Sequence, residues 1–152
     1  MSTNSQHISL LNDLIETLKD GQSGFKAAAD DIDSHELRTL FHGFILQRSK
    51  FSGELQALAQ SLGESDPQAT GSVSGALHRG WIDLKAALTS KDEHAILAEC
   101  ERGEDSAVAH YREALDSQDL PANVREVIAN QFVEIKAAHD QVRDLRDAVV
   151  AK

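Results

Sequence analysis

The chain has 152 residues, 41% of them apolar and 26% charged, with only 2 Pro and 9 Gly. These proportions suit one globular fold with a sizeable core and exclude a disordered or collagen-like chain. The 25 acidic against 15 basic residues give a formal net charge of −10. Such a surface repels phosphate, so the composition predicts neither nucleic acid nor an anionic membrane as a partner.

No apolar run approaches the roughly 18 to 20 residues that span a bilayer. Met1 to His7 show neither the basic nor the apolar region of a secretory signal. Cys100 is the single cysteine. One thiol cannot close an internal disulfide, which predicts a reduced compartment, the cytoplasm, and its apolar neighbours read it as a small core residue.

Apolar residues recur at three- and four-residue spacing nearly throughout, as in amphipathic helices. A first helix is expected over residues 5–31, with Leu11, Ile15, Leu18, Gln22, Phe25 and Ala29 on its stripe. A short acidic turn follows, and Ser34 or Asp33 can cap a second helix over 35–62, which carries Phe41, Phe44, Arg48, Phe51 and Leu55 inward and ends at Gly63. The stretch 64–72, holding Pro67 and Gly71, reads as a linker.

A shorter helix is expected over 73–88, with Trp81 on its apolar stripe. Ser90 and Glu93 have the spacing of a capping box for a helix over 91–116 that carries Leu97, Glu104, Val108 and Tyr111. Pro121 opens a last helix over 121–150, with Val124, Ile128, Gln131, Ile135 and Val142 inward. The expectation is one helical-bundle domain over residues 1–152. Its four long helices would each run about 40 Å at 1.5 Å per residue. The short first and last connections make antiparallel neighbours, and the segment 73–88 is long enough to carry the chain back along the bundle. If it does not cross over, it extends the third long helix across a kink.

Two segments, His78-Arg79-Gly80-Trp81-Ile82-Asp83-Leu84-Lys85 and Glu101-Arg102-Gly103-Glu104-Asp105, carry a family resemblance, as do Leu11 to Gly21 and Ala138-His139-Asp140. With them the chain resembles a bacterial family of ferritin-like four-helix proteins of unassigned function, over nearly its whole length. The resemblance implies an all-α, ferritin-like four-helix bundle with a short bridging helix between the second and third long helices. It also implies a link to stress physiology.

A ferritin-like bundle raises the question of a dinuclear iron or manganese centre. That chemistry takes one Glu from each of two helices and a Glu-x-x-His pair from each of the other two. The sequence contains no Glu-x-x-His: Ile32, Thr39 and Lys136 stand three residues before His35, His42 and His139. Glu16, Glu54, Glu101, Glu104 and Glu134 are the candidate ligands for a centre with non-standard donors. Each long stripe instead breaks its apolar pattern once near mid-helix, at Gln22, Arg48, Glu104 and Gln131. These four residues are expected to form a polar core layer built on an Arg48–Glu104 ion pair, and a fixed cation there opposes two divalent metals.

On the bridging helix, His78 and Trp81 are the expected anchors to the bundle, with His78 donating to Glu104 or Asp105. A small-molecule niche beneath that helix is the alternative. No Gly-x-Ser-x-Gly elbow, phosphate loop or base beside Cys100 supports nucleophilic catalysis. The sequence thus favours a non-enzymatic bundle without a cofactor, acting through its surface or as a homo-oligomer, a dimer first. Iron or manganese binding, with oxidoreductase or storage activity, is the alternative.

Overall fold

A computed structural model of the protein describes residues 3–63, 81 and 83–149. These residues form five helices: α1 Thr3–Asp31, α2 His35–Ser61, α3 Leu84–Ser90, α4 Glu93–Leu115 and α5 Ala122–Ala148. The chain is all-α over the described residues, and no helix among them is long and apolar enough to cross a membrane. The expected segment 73–88 is described only at Trp81 and from Asp83 onward, where α3 holds 7 residues and continues to Ser90.

Local chemistry sets the helix ends. Ser34 Oγ accepts the Leu37 N–H at 3.2 Å and caps α2. Gly63 follows α2 with φ of 110°, a left-handed backbone that glycine adopts without steric cost. The expected capping box at Ser90 is not formed. Ser90 Oγ donates to Ala87 O at 2.7 Å, Lys91 turns left-handed with φ of 57°, and the Asp92 carboxylate accepts the His94 N–H at 3.1 Å. Asp92 is therefore the N-cap of α4, which starts two residues later than the sequence suggests.

Two arginines lock the two short turns in the same way. Arg38, four residues into α2, donates to Ala29 O at 3.2 Å and Ile32 O at 2.8 Å. Arg125, four residues into α5, donates to Leu115 O at 2.7 Å and also to Ser117 O. Each fork satisfies carbonyls that the end of the preceding helix leaves open and places a cation at its negative pole.

The helix directions follow from side chains that meet. Thr17 on α1 meets His110 on α4, Tyr111 on α4 meets Gln131 on α5, and Asp105 meets His139. Neighbouring long helices are thus antiparallel, whereas α2 and α4 run the same way. Leu62, at the end of α2, and Asp92, at the start of α4, therefore lie toward opposite ends of the molecule.

The apolar interior falls into two blocks. One gathers Leu11, Leu14, Leu18, Phe51, Leu55, Val108, Tyr111 and Ile128. The other gathers Phe25, Ile32, Phe41, Phe44, Trp81, Leu97, Cys100 and Val142. Along the helices the blocks part between Leu18 and Phe25, Phe44 and Phe51, Cys100 and Ala107, and Ile135 and Ala138. Each fully buried Leu, Ile or Phe contributes about 1.5 to 3 kcal/mol.

Candidate functional site

At the level where the blocks part, the Arg48 guanidinium donates to the Glu104 carboxylate, and both side chains are 1% exposed. Arg48 also lies 5.7 Å from the Phe25 ring centroid and 6.0 Å from that of Phe44, so aromatic faces cover the part of its charge that the carboxylate does not meet. Its Nη1 has no hydrogen-bond partner among the described residues. Burial pushes the Glu104 carboxyl upward, while the facing Arg48 charge pulls it back; the net shift is upward.

The other two expected members of this layer behave differently. Gln131 is buried, but it accepts from Tyr111 Oη at 2.7 Å and donates to Phe51 O at 3.2 Å and to Glu54 Oε1 at 2.9 Å. It lies inside the block that holds Ile128 and Ile135, against Tyr111, which stands seven residues along α4 from Glu104. A residue in register by count along the helix is thus displaced once α5 takes its place beside α4. Gln22 is half-buried.

The five carboxylates named as possible ligands are not drawn to one point. Glu104 faces Arg48, Glu54 faces Gln131, and Glu101 faces Arg146. Glu16 lines an open groove of about 590 Å³ between α1 and α4, with Leu14, Thr17 and His110. Glu134 is exposed. A dinuclear centre needs convergent anionic donors at mid-helix, and a guanidinium bonded to one of them does not fit that need.

Trp81 is 2% exposed, and its indole is held between α1 and α4. A β-carbon built on Gly24 would lie 2.5 Å from Trp81 Cδ2, and one on Gly103 would lie 2.1 Å from Cε2. Only glycine at both positions leaves the slot open. Phe25 completes it edge-on, with ring centroids 5.2 Å apart. The segment beneath which a niche was expected lies mostly outside the described residues. His78, with its expected bond to Glu104 or Asp105, lies outside the described residues.

Two residues beyond Trp81, the Asp83 N–H donates to the Glu99 carboxylate at 2.8 Å, and Glu99 is itself 2% exposed. Burial raises the Glu99 pKa against the opposing pull of the Asp83 amide and Arg102. Arg102 bridges Glu99 and Asp83, which fastens the start of α3 to α4.

A further cluster sits on the seam between α4 and α5. His139 Nε2 is 2.5 Å from Asp105 Oδ1 and 3.8 Å from Glu101 Oε2, and His139 Nδ1 is 2.9 Å from Asp140 Oδ1. Among the described residues, Glu101, Asp105 and His139 form the one group of three potential metal donors whose ligand atoms all lie within 4.8 Å of one another. Burial lowers the His139 pKa, but bonds to Asp140 and Asp105 and the charge of Glu101 outweigh it, and the net shift is upward. Hydrogen bonds from His139 and Lys136 hold Asp140 down to about 2.

Sequence reading missed this cluster because it sought Glu and His on one helix. The available signal was Glu101 and Asp105 at i,i+4 on α4, opposite a helix that runs the other way.

Among curated proteins the chain has no match. A family model matches residues 6–117, from early α1 to just past the end of α4, so the chain belongs to the family described as a domain of unknown function (DUF2383).

Proposed function

We propose that this protein is a non-enzymatic, ferritin-like four-helix bundle whose centre is braced by charge and does not carry a dinuclear metal site. The observation that carries the reading is the Arg48–Glu104 pair, fully buried where the two apolar blocks part. A guanidinium at that depth opposes divalent cations beside it. A buried pair adds little net stability, but it penalises any sliding of α2 against α4 that would leave either charge alone. The bundle then serves as a rigid body that works through its acidic surface or by self-association in the bacterial cytoplasm, in keeping with a place in stress physiology. A homodimer is the expected assembly.

The test is the metal content of protein purified from cells supplemented with iron and manganese, together with a Glu104→Ala variant. No iron or manganese bound at the core is expected in either. Two equivalents of metal per chain in the parent, lost in the variant, would overturn the reading and favour the alternative, a di-metal oxidoreductase or storage protein with non-standard ligands.

A further inference from the structure

The cluster on the α4–α5 seam uses side chains other than those of the buried pair and goes beyond the function proposed above. We propose that Glu101, Asp105 and His139 form a mononuclear site for a divalent first-row transition ion such as Zn²⁺.

The donor atoms converge from two rigid helices. Glu101 and Asp105 stand one turn apart on α4 and point to the same side, and His139 reaches across from α5. With metal–ligand bonds near 2.0 to 2.2 Å, neighbouring donors should stand roughly 3.0 to 3.4 Å apart. The observed 2.5 Å from His139 Nε2 to Asp105 Oδ1 and 3.8 Å to Glu101 Oε2 bracket that spacing. Small side-chain rotations therefore suffice, with no movement of the helices.

The outer atoms of the cluster are already held. Asp140 Oδ1 lies 2.9 Å from His139 Nδ1, where it holds the proton on Nδ1, so that an arriving ion displaces the Nε2 proton and meets that nitrogen's lone pair beside the two carboxylates. Arg146 donates to Glu101 Oε1 and leaves Oε2 directed at His139; at 26% exposure its charge is screened by solvent, as that of Arg48 at 1% is not. Each of these two inner donors thus has its other polar atom engaged by a neighbour, the arrangement that fixes ligand orientation in metal sites. Glu101 and His139 side chains are each 14% exposed and Asp105 is 61% exposed, so the site is sheltered on one side and open to an arriving ion on the other.

The donor chemistry selects the ion. One imidazole and two carboxylates suit Zn²⁺, Mn²⁺, Fe²⁺ or Co²⁺, whereas Ca²⁺ and Mg²⁺ prefer all-oxygen shells. Three protein ligands leave at least one coordination position for water.

Calorimetric titration of the metal-stripped protein with zinc chloride tests the site, with Co²⁺ absorption reporting nitrogen ligation. One Zn²⁺ per chain is expected. Affinity should fall at least about tenfold in His139→Ala and in Asp105→Asn, with helicity unchanged by circular dichroism. Asp105 is exposed enough that its variant folds even if His139→Ala does not. No binding by the parent, or binding that survives both substitutions because other histidines hold the ion, overturns the site. Uptake that depends on Glu104 and not on His139 would overturn both this site and the metal-free core, whereas loss of the surface site alone leaves the core reading intact.

Discussion

The Trp81 indole fills the space that a side chain at position 103 would need: a β-carbon there would fall 2.1 Å from Cε2. Gly103 lies on α4, whose other close neighbour across the indole is Gly24 of α1 at 2.5 Å from Cδ2. The ring is thus a wedge through which two helices and the segment before α3 are fixed together. Gly103→Ala should displace it. The overpacking cost of about 1 to 3 kcal/mol exceeds the gain of up to about 1 kcal/mol in helix propensity. As Trp81 is the sole tryptophan, urea unfolding followed by its fluorescence reads both effects, a lower midpoint and a red-shifted native emission. Native emission and midpoint equal to the parent's would show that the slot is not needed.

The buried pair gives a prediction in which two changes are milder than one. Arg48→Met leaves the Glu104 carboxylate uncompensated at 1% exposure, and Glu104→Leu does the same to the guanidinium. Each single change should cost about 3 to 5 kcal/mol, and the double variant should be at least as stable as the parent. Chemical denaturation of all four proteins completes the cycle. Two mild single variants would mean that water reaches the pair.

Much of this architecture was legible in the amino-acid pattern. The three- and four-residue spacing of Leu11, Ile15, Leu18 and Phe25, or of Phe41, Phe44, Phe51 and Leu55, places long helices and their inner faces because burial of one face is what selects the period. The Arg48–Glu104 contact was also readable, since two opposite charges on otherwise apolar stripes have few other places to go. What depends on packing between helices was not. Gln131 matches the polar level by count, yet the offset of α5 against α4 gives it to Tyr111 and Glu54. The glycines that matter to Trp81 are on α1 and α4, far from it in sequence, because close approach is a property of the assembled helices. His139 has no local signal as a cluster member either; its partners Asp105 and Glu101 stand 34 and 38 residues before it.

The arginine forks at the two turns should be separable from general charge effects. Arg38 and Arg125 each bond two carbonyls near the C-terminal end of the preceding helix. Alanine at either position should cost about 1 to 2 kcal/mol through lost charge-assisted bonds. Lysine keeps the charge but not the planar fork, so it should recover less than half of that loss. Hydrogen exchange at the amides of Ile32 and Ser117 should accelerate in the alanine variants. Full rescue by lysine would instead assign the effect to the helix dipole alone.

Tyr111 gives the pH prediction, and as the sole tyrosine it can be followed without overlap. Burial pushes its phenol far above the ordinary range; Arg48 opposes the shift, and Glu54 and Glu104 add to it. Its folded pKa therefore exceeds the unfolded value of about 10. A group raised in this way contributes stability that is fully present below about pH 10 and is lost as pH climbs toward the folded value. In the native protein no tyrosinate absorbance should develop near pH 11, and its eventual rise should coincide with loss of helicity. Tyr111→Phe removes the hydroxyl that donates to Gln131 at 2.7 Å and should cost about 1 kcal/mol at neutral pH. The stability gap between parent and variant should then close above about pH 10, because only the parent gains by unfolding and ionising there. A phenol that titrates near 10 with the helices intact would show that water reaches Tyr111 and that the Tyr111–Gln131–Glu54 chain of bonds is open to solvent.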